Sequence, residues 1–420
     1  MKMKKNIILF IGIYIKDINQ SLKEYEKITG EKFRTALIYD EKKPPKKPSG
    51  VDILIPCKFS SLNSIQKALL PHTDNFVAVV CRGEYQIQNF AKVIPNLPYL
   101  KTPTTESLLW SSDKLLMRKR LYNYNKNIAP IHTIVADYEE NTINTIAKKI
   151  KFPLIVKPTG LASSRLVTMC FDKEDLQKTL KKVFKVINKV YKDVSGNGEP
   201  KVLVEQFMEG SMFSIDAYVD DNGKTYFCPL VKVITSKEVG GEDFYGYKRI
   251  TPLKLKSETE EEAQDVANQS IKALGLKNTT AHIEMMRTEE GWKIIEVGAR
   301  IGGFRHSLHK LTFGIDHHMN DILIRLGRKP IIPKKLKGYA IAMQFFAQKE
   351  GTLSKIHGLR KTNKLPSISK LTANKKPNDK CTFARNGGTS VINVTLFNKD
   401  RSQLLADVRK MEKVIRIELK

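Results

Sequence analysis

Apolar and polar positions alternate along this chain with two periods, and the period changes several times. Near the start, the apolar runs Ile7–Tyr14, Ala36–Tyr39, Val51–Ile55 and Phe76–Cys81 are strand-length. Between them, Ile18–Thr29 and Ser60–Leu70 carry apolar residues at helical spacing. Strands alternating with helices predict a small parallel sheet covered on both faces. Further on, Phe152–Val167 reads as a strand to Lys157, a loop of small residues and a second strand; Lys201–Asp220 reads as two strands joined by a turn at Glu209–Gly210. Helical periodicity returns over Leu176–Val190, Glu258–Leu274 and Asp316–Leu326. After Gly338 the pattern predicts strands at Tyr339–Ala347, Ser390–Leu396 and Val414–Leu419 and a helix at Arg401–Met411, with Lys355–Lys380 basic and irregular. The fold class is α/β, becoming α+β in the central part. At 420 residues the chain is long enough for two or three domains.

The stretch Ala281–Gly303 carries the most specific chemistry. Ile283, Met285, Ile295 and Val297 alternate with polar or small residues, which predicts a β-hairpin turning at Thr288–Gly291. A turn centred near Glu290 sets Glu284 opposite Glu296. Cross-strand neighbours lie roughly 4.5–5.5 Å apart. Two carboxylates there repel by about 3 kcal/mol at an effective dielectric near 20, and a hard divalent cation would compensate. Arg300 follows, and Gly302-Gly303 open a helical pattern whose N-terminus suits an anion. Alone, the stretch fits an exposed hairpin with a chance acid pair equally well. Lys157 with Gly160, Ala162, Ser163 and Ser164 suits a phosphate-cradling loop, because small residues let backbone N–H groups approach closely. Glu205, Gln206, Phe207 and Met208 end a strand in a way that suits a purine edge and face, though for this segment alone a plain hairpin connector is the better reading.

In this order the segments resemble the ATP-grasp superfamily, and more closely its carboxylate–amine ligases, over Ser111 to Gly327. The resemblance implies an ATP-grasp fold with a pre-ATP-grasp domain at 1–110, a nucleotide-binding and catalytic domain at 111–330 and a small mixed subdomain at 331–420. Ser112-Asp113-Lys114 is similar to the segment with the family's first ATP lysine, and Phe152–Pro158 to that with the second, Lys157, and the phosphate loop that carries Ser163 and Ser164. Val204–Gly210 matches the adenine hinge. By resemblance Glu205 takes the adenine amine, while the backbones of Gln206 and Met208 contact the ring. Glu284 and Glu296 match the metal-binding acids for Mg2+ or Mn2+, and Arg300 the arginine that stabilises the transferring phosphoryl group. The implied activity joins a carboxylate, by default an amino acid, to an amine through an acyl phosphate, with release of ADP and phosphate. Arg305 and His306, at the helix start, are candidates for a substrate carboxylate. A homodimer is plausible by resemblance. Two positions depart from the pattern: Gly298 stands where the family has a metal-ligating asparagine, and Met212 where it often has a ribose-binding glutamate.

Charge and composition adjust this picture little. The net charge of +28 invites a nucleic-acid reading. However, lysine far outnumbers arginine, the lysines are spread throughout, and no basic stretch with interleaved aromatics appears. The five cysteines are odd in number and scattered over apolar segments, as in a reduced cytoplasmic protein. MKMKK before Asn6–Ile15 has the charge and apolar run of a secretory signal, but a polar helical stretch follows and a buried first strand is expected. No run approaches the ~18 apolar residues of a spanning helix. His306, His309, His317 and His318 have no cysteine near in sequence and read as ordinary helix polar residues. Thr235–Arg249, with Gly240-Gly241 and Gly246, is a candidate lid whose Tyr247, Lys248 and Arg249 close over phosphates; a mobile surface loop fits it equally.

Overall fold

The structure, a computed structural model, describes residues 5–45, 50–194, 196, 198–241 and 243–420. Parts of the charged start, of the 41–50 loop and of the turn at 195–200 lie outside the described residues.

The first region is a four-stranded parallel sheet in the order β3-β2-β1-β4. It comprises β1 (Ile7–Ile11), α1 (Asp17–Thr29), β2 (Arg34–Asp40), β3 (Ile53–Cys57), α2 (Leu62–Leu69), β4 (Phe76–Cys81) and α3 (Ile87–Val93). All five β1 residues are buried, because both faces of a parallel sheet are covered and an alternating pattern has no place there. The N-terminal apolar run is thus a core strand, as expected.

Two helices follow, α4 (Thr105–Ser112) and α5 (Lys114–Tyr124). Asp113 caps α5, its carboxylate accepting from the N–H groups of Leu115 and Leu116. Next comes an antiparallel sheet, β5-β8-β6-β7, from β5 (His132–Val135), α6 (Glu140–Lys149), β6 (Leu154–Pro158), β7 (Thr168–Cys170), α7 (Lys173–Val194) and β8 (Val202–Gln206). Leu176, Leu180, Val183, Ile187 and Tyr191 recur at helical spacing, so α7 buries one stripe against this sheet.

The third sheet is the largest, with nine strands. It takes β9 (Ser211–Val219), β10 (Thr225–Phe227), β11 (Val231–Thr235), β12 (Gly246–Thr251), then, after α8 (Ser257–Ala273), the hairpin β13 (Thr279–Thr288) and β14 (Gly291–Gly298). Helices α9 (Arg305–Thr312) and α10 (His317–Arg325) precede β15 (Tyr339–Phe345). The chain then runs through β16 (Gly351–His357), α11 (Leu359–Asn363), β17 (Ile368–Ala373), β18 (Lys380–Cys381), β19 (Ile392–Asn398), α12 (Arg401–Val414) and β20 (Arg416–Leu419). The main path is β14-β13-β9-β11-β12-β15-β19-β17, while β18-β16-β20 form a small separate sheet. The large sheet therefore crosses residue 330, through the β12–β15 pairing. Lys355–Lys380, expected to be irregular, contains α11, β17 and β18; β17 is an edge strand with no buried residue, so its sequence lacks the alternation that marks a half-buried strand.

The hairpin has the predicted register, with Glu284 opposite Glu296, and adds a bulge. Met285 pairs with Ile294, so Ile295 is the extra residue. Trp292, Ile294 and Val297 face the core, and Ile295, expected there, faces the cavity instead. Strict alternation from Trp292 and Ile294 would have driven Glu296 into the core. The bulge turns it to the face of Glu284.

Candidate functional site

The large sheet is the floor and β5–β8 the roof of a cavity of about 700 Å3. The floor contributes Met212, Val233, Arg249, Glu284, Met286 and Glu296; the roof contributes Ile155, Lys157, the 161–167 loop and Glu205 to Met208. Eleven residues singled out from sequence as chemical candidates line this one space: Lys114, Lys157, Ser163, Ser164, Glu205, Gln206, Met208, Glu284, Glu296, Arg300 and Arg305. The apolar side chains Ile155, Phe207, Met208, Met212 and Met286 gather where the roof strand meets the floor.

Lys157, near the end of β6, reaches Glu205 on the neighbouring β8, Nζ to Oε2 at 2.5 Å. The same carboxylate accepts from Arg118 at 2.6 and 3.3 Å. Arg118 is fully buried on α5, one turn beyond Lys114, and also donates to the Ile295 carbonyl at 2.6 Å. Burial would raise the Glu205 carboxyl, but Arg118 and Lys157 outweigh it and hold it down to about 2. One carboxylate shared by two cations cannot fully serve both. Burial, with Arg118 and Lys114 close by, pulls Lys157 down to about 8. The expectation of Glu205 as an adenine partner now has a second component: three donors already occupy it, leaving about one of its four lone-pair sites open.

Lys114 donates to the Leu161 carbonyl at 2.7 Å and to Glu296 Oε1 at 3.3 Å. It thus ties the start of α5 to the phosphate loop and to the acid pair. In that loop Ser163 and Ser164 take φ values of 60° and 56°. Left-handed backbone at non-glycine residues costs on the order of 1–2 kcal/mol each, and such outliers cluster where a loop is shaped for a ligand. The Gly160 N–H is held by the Tyr191 hydroxyl at 2.7 Å, and the Leu166 N–H by the Arg385 carbonyl at 2.9 Å.

The acid pair is compensated by protein cations. Lys114 meets Glu296, and His282 Nε2 lies 3.3 Å from Glu284. His282 and Glu284 are two apart on β13 and share a face. The His282 ring is anchored at Nδ1 by Asp216, at 2.6 Å, and Asp216 accepts the Gly302 N–H at 3.0 Å. A Cβ on Gly302 would fall 2.3 Å from His282 Nδ1, so glycine is needed for this packing. Burial disfavours ionised Glu284, but His282, Arg305 and Arg300 outweigh it and hold it down to about 2. The two acids thus set hard oxygen donors on one face, the kind a magnesium-type cation takes. Gly298 adds no ligand. A Cβ there would lie 3.5 Å from Glu84 Oε2 and 3.6 Å from Arg300 Cζ, so a larger side chain would press on the ion pair between Arg300 and Glu84.

That pair spans the molecule: Arg300 Nε meets a glutamate that follows β4 in the first sheet. No local pattern around Glu84 announces it. Arg118 had a signal in its spacing of four from Lys114, and His282 in its spacing of two from Glu284.

Two expectations need correction. Gly246–Thr251 is not a lid but the strand β12, paired on both edges. Tyr247 and Lys248 reach Glu412 on α12 at 3.0 and 2.8 Å rather than closing over phosphates, and only Arg249 of the three lines the cavity. Nor are the histidines ordinary helix polar residues with no cysteine near. His309 and His317 are fully buried, 2.8 Å apart from Nδ1 to Nε2, with Cys228 beside them and the Tyr218 hydroxyl 2.8 Å from His317 Nδ1. Nitrogens sharing a tetrahedral zinc at about 2.0–2.1 Å stand farther apart than this; the contact is a hydrogen bond. Burial lowers His309 to about 4, so it is neutral.

Two lysines, a facing acid pair and an arginine thus gather between two sheets, an arrangement whose chemistry suits a polyphosphate with a cation. Residues 150–307 match the ATP-grasp domain family. An ATP-grasp domain thus occupies the middle of the chain, and the chain is similar to ligases that carry such a domain. It is 27% identical over 235 residues to the uncharacterized protein y4rH of Sinorhizobium fredii, covering 54% of this chain and 45% of that one. It is 23% identical over 232 residues to a D-alanine–D-alanine ligase of Carboxydothermus hydrogenoformans, covering 51% and 67%. The fold is similar to that of an L-amino acid ligase from Bacillus licheniformis, with a TM-score of 0.77 and 19% identity over the whole of both chains. The chain thus aligns with about half of y4rH and two thirds of the D-alanine ligase. No helix among the described residues is long and apolar enough to cross a membrane.

Proposed function

We propose that this protein is an ATP-dependent ligase that joins a carboxylate to an amine through an acyl phosphate, releasing ADP and phosphate. The observation that carries the reading is the convergence of Glu284, Glu296, Arg300, Lys114 and Lys157 on one cavity between two sheets. An amino acid is the favoured carboxylate, by similarity to the ligases above.

The adenine would lie among Ile155, Phe207, Met208, Met212 and Met286, with the backbones of Gln206 and Met208 reading its edge and the open site on Glu205 facing its amine. Lys157 and Lys114 would neutralise the α- and β-phosphates, while the loop of Ser163 and Ser164 covers them. Glu284 and Glu296 would hold Mg2+ or Mn2+, which supplies charge neutralisation between the β- and γ-phosphates. A carboxylate oxygen attacks the γ-phosphorus in line, and ADP leaves. Arg300 lies where negative charge accumulates on the moving phosphoryl group. The amine then attacks the acyl carbon, phosphate departs, and the amine loses a proton. Positioning of these partners is the main source of rate.

Phosphate release from Mg-ATP, measured across amino acids singly and in pairs, tests the reading. Release only with particular pairs, together with an equal amount of ADP, establishes the ligase. Release independent of any amine, or AMP as product, overturns it. A dimer is a subsidiary expectation, and sedimentation would decide it.

A further inference from the structure

The floor strands β9, β13 and β14 pair in rungs. One rung is Ser214, Glu284 and Glu296, and the next on the same face is Asp216, His282 and Gly298. Whatever stands on the second rung therefore backs the acid pair. Gly298 brings no side chain there. Asp216 and His282 do, and they are 0% and 5% exposed.

The two Asp216 oxygens serve different elements. Oδ1 accepts from His282 Nδ1 at 2.6 Å, and Oδ2 accepts the Gly302 N–H at 3.0 Å. His317 Nδ1 stands farther off, 3.9 Å from Oδ2, and bonds to the Tyr218 hydroxyl instead. Burial alone would raise the Asp216 carboxyl, but the His282 ring outweighs it and holds it below the usual carboxylate range. A charge buried this deeply is costly unless it is paired, and apolar residues of similar volume often fill such space as stably. Packing alone does not call for this pair. What the pair provides is direction. Held at Nδ1, the imidazole aims Nε2 at Glu284 Oε1, 3.3 Å away.

The two acids are thus held differently. Glu296 meets Lys114, whose four-carbon stem is flexible and whose Nζ also serves the Leu161 carbonyl. Glu284 meets a ring fixed from behind by a buried carboxylate. Hydrogen bonds behind a metal-ligating carboxylate set its orientation, and losing one costs about ten- to a hundredfold in metal affinity or activity.

We infer that His282, aimed by Asp216, is a positioning residue that sets the Glu284 carboxylate for the cation. Through the Gly302 N–H the same Asp216 fixes the turn just after Arg300, so one buried carboxylate holds the cation acid and the arginine in a common frame. This rests on the reading above in one respect, a cation on the acid pair.

Mn2+ serves as the probe, because electron spin resonance reports its binding without turnover. Its affinity for the ADP-loaded protein is measured beside ADP affinity without metal and beside phosphate release. His282→Asn places an amide near the Nδ1 position, keeping the bond to Asp216, and is too short to reach Glu284. His282→Gln places its amide near the Nε2 position and keeps that reach. His282→Asn should weaken Mn2+ binding at least about tenfold and leave metal-free ADP binding unchanged, and His282→Gln should recover most of the loss. Gly302→Ala, whose Cβ would fall 2.3 Å from Nδ1 and displace the ring, should reproduce the loss with Asp216, His282 and Glu284 all present. Melting curves check each variant. An equal loss of metal-free ADP binding in His282→Asn, or a His282→Gln variant no better than His282→Asn, overturns the inference. Parent-like Mn2+ affinity in His282→Asn, with phosphate release intact, removes the positioning role and leaves the ligase reading standing. If His282→Asn does not fold, Gly302→Ala decides, and parent-like Mn2+ affinity there overturns the inference. No Mn2+ binding by the parent protein, although ADP binds, overturns the cation on the acid pair, and both readings fall with it.

Discussion

At the residue scale, Glu296 is where charge, metal and geometry meet. It faces Glu284 and accepts from Lys114. Glu296→Gln should reduce turnover by at least about a hundredfold, as for loss of a main electrostatic contact in the transition state, with an unchanged melting temperature because the side chain is partly open to the cavity. Substantial surviving activity would remove it from the site. Lys157 gives a pH signature. Its pKa is near 8 instead of 10.5, so it loses its charge as pH rises through 8. The KM for ATP should therefore rise above pH 8. The inflection in kcat should lie higher than that in kcat/KM, because bound phosphates favour the charged form. The folded state also holds fewer protons than the unfolded chain between these values, so Lys157 makes stability increase with pH across that window. Lys157→Met should flatten both profiles. Lys157, Glu205 and the acid pair were legible in sequence because each sits in a short pattern of strand, loop and charge. Glu84 was not, because its partner lies 216 residues away.

At the element scale, α5 is joined to β8 by a buried ion pair rather than by apolar packing alone. Removing one member of a buried pair leaves an uncompensated charge and costs about 3–5 kcal/mol. Arg118→Ala should show this as a lower urea midpoint, a larger loss than for an exposed arginine such as Arg401. Gly210, between β8 and β9, has φ 148°, and an added Cβ would fall 2.1 Å from the Arg287 carbonyl oxygen. Gly210→Ala should destabilise by roughly 1–3 kcal/mol, as overpacking does, and should loosen the link between roof and floor. Equal midpoints for mutant and parent would refute that account. The strands of the first sheet were legible to within a few residues, because continuous apolar runs bounded by turns leave few alternatives. The β14 bulge was not: the run Ile294-Ile295 offers two apolar residues for one core position, and only pairing with Met285 decides which is used.

At the scale of the whole molecule, two sheets enclose one cavity, and the Arg300–Glu84 pair ties the region of the first sheet to it. Glu84→Gln should lower kcat by about tenfold, on the order of 1.4 kcal/mol, without weakening binding of ADP; a purely local role for Arg300 would leave kcat unchanged. The floor also has a consequence for timing. It is a single hydrogen-bonded sheet from β14 to β17, so it cannot part down the middle. The roof is a separate sheet, with the Phe207–Gly210 connection leading from its last strand to the floor. On the ligase reading, entry and exit would fall to the roof moving as one flap, and a rapid-quench trace should show a fast first round of product followed by a slower steady rate set by its opening.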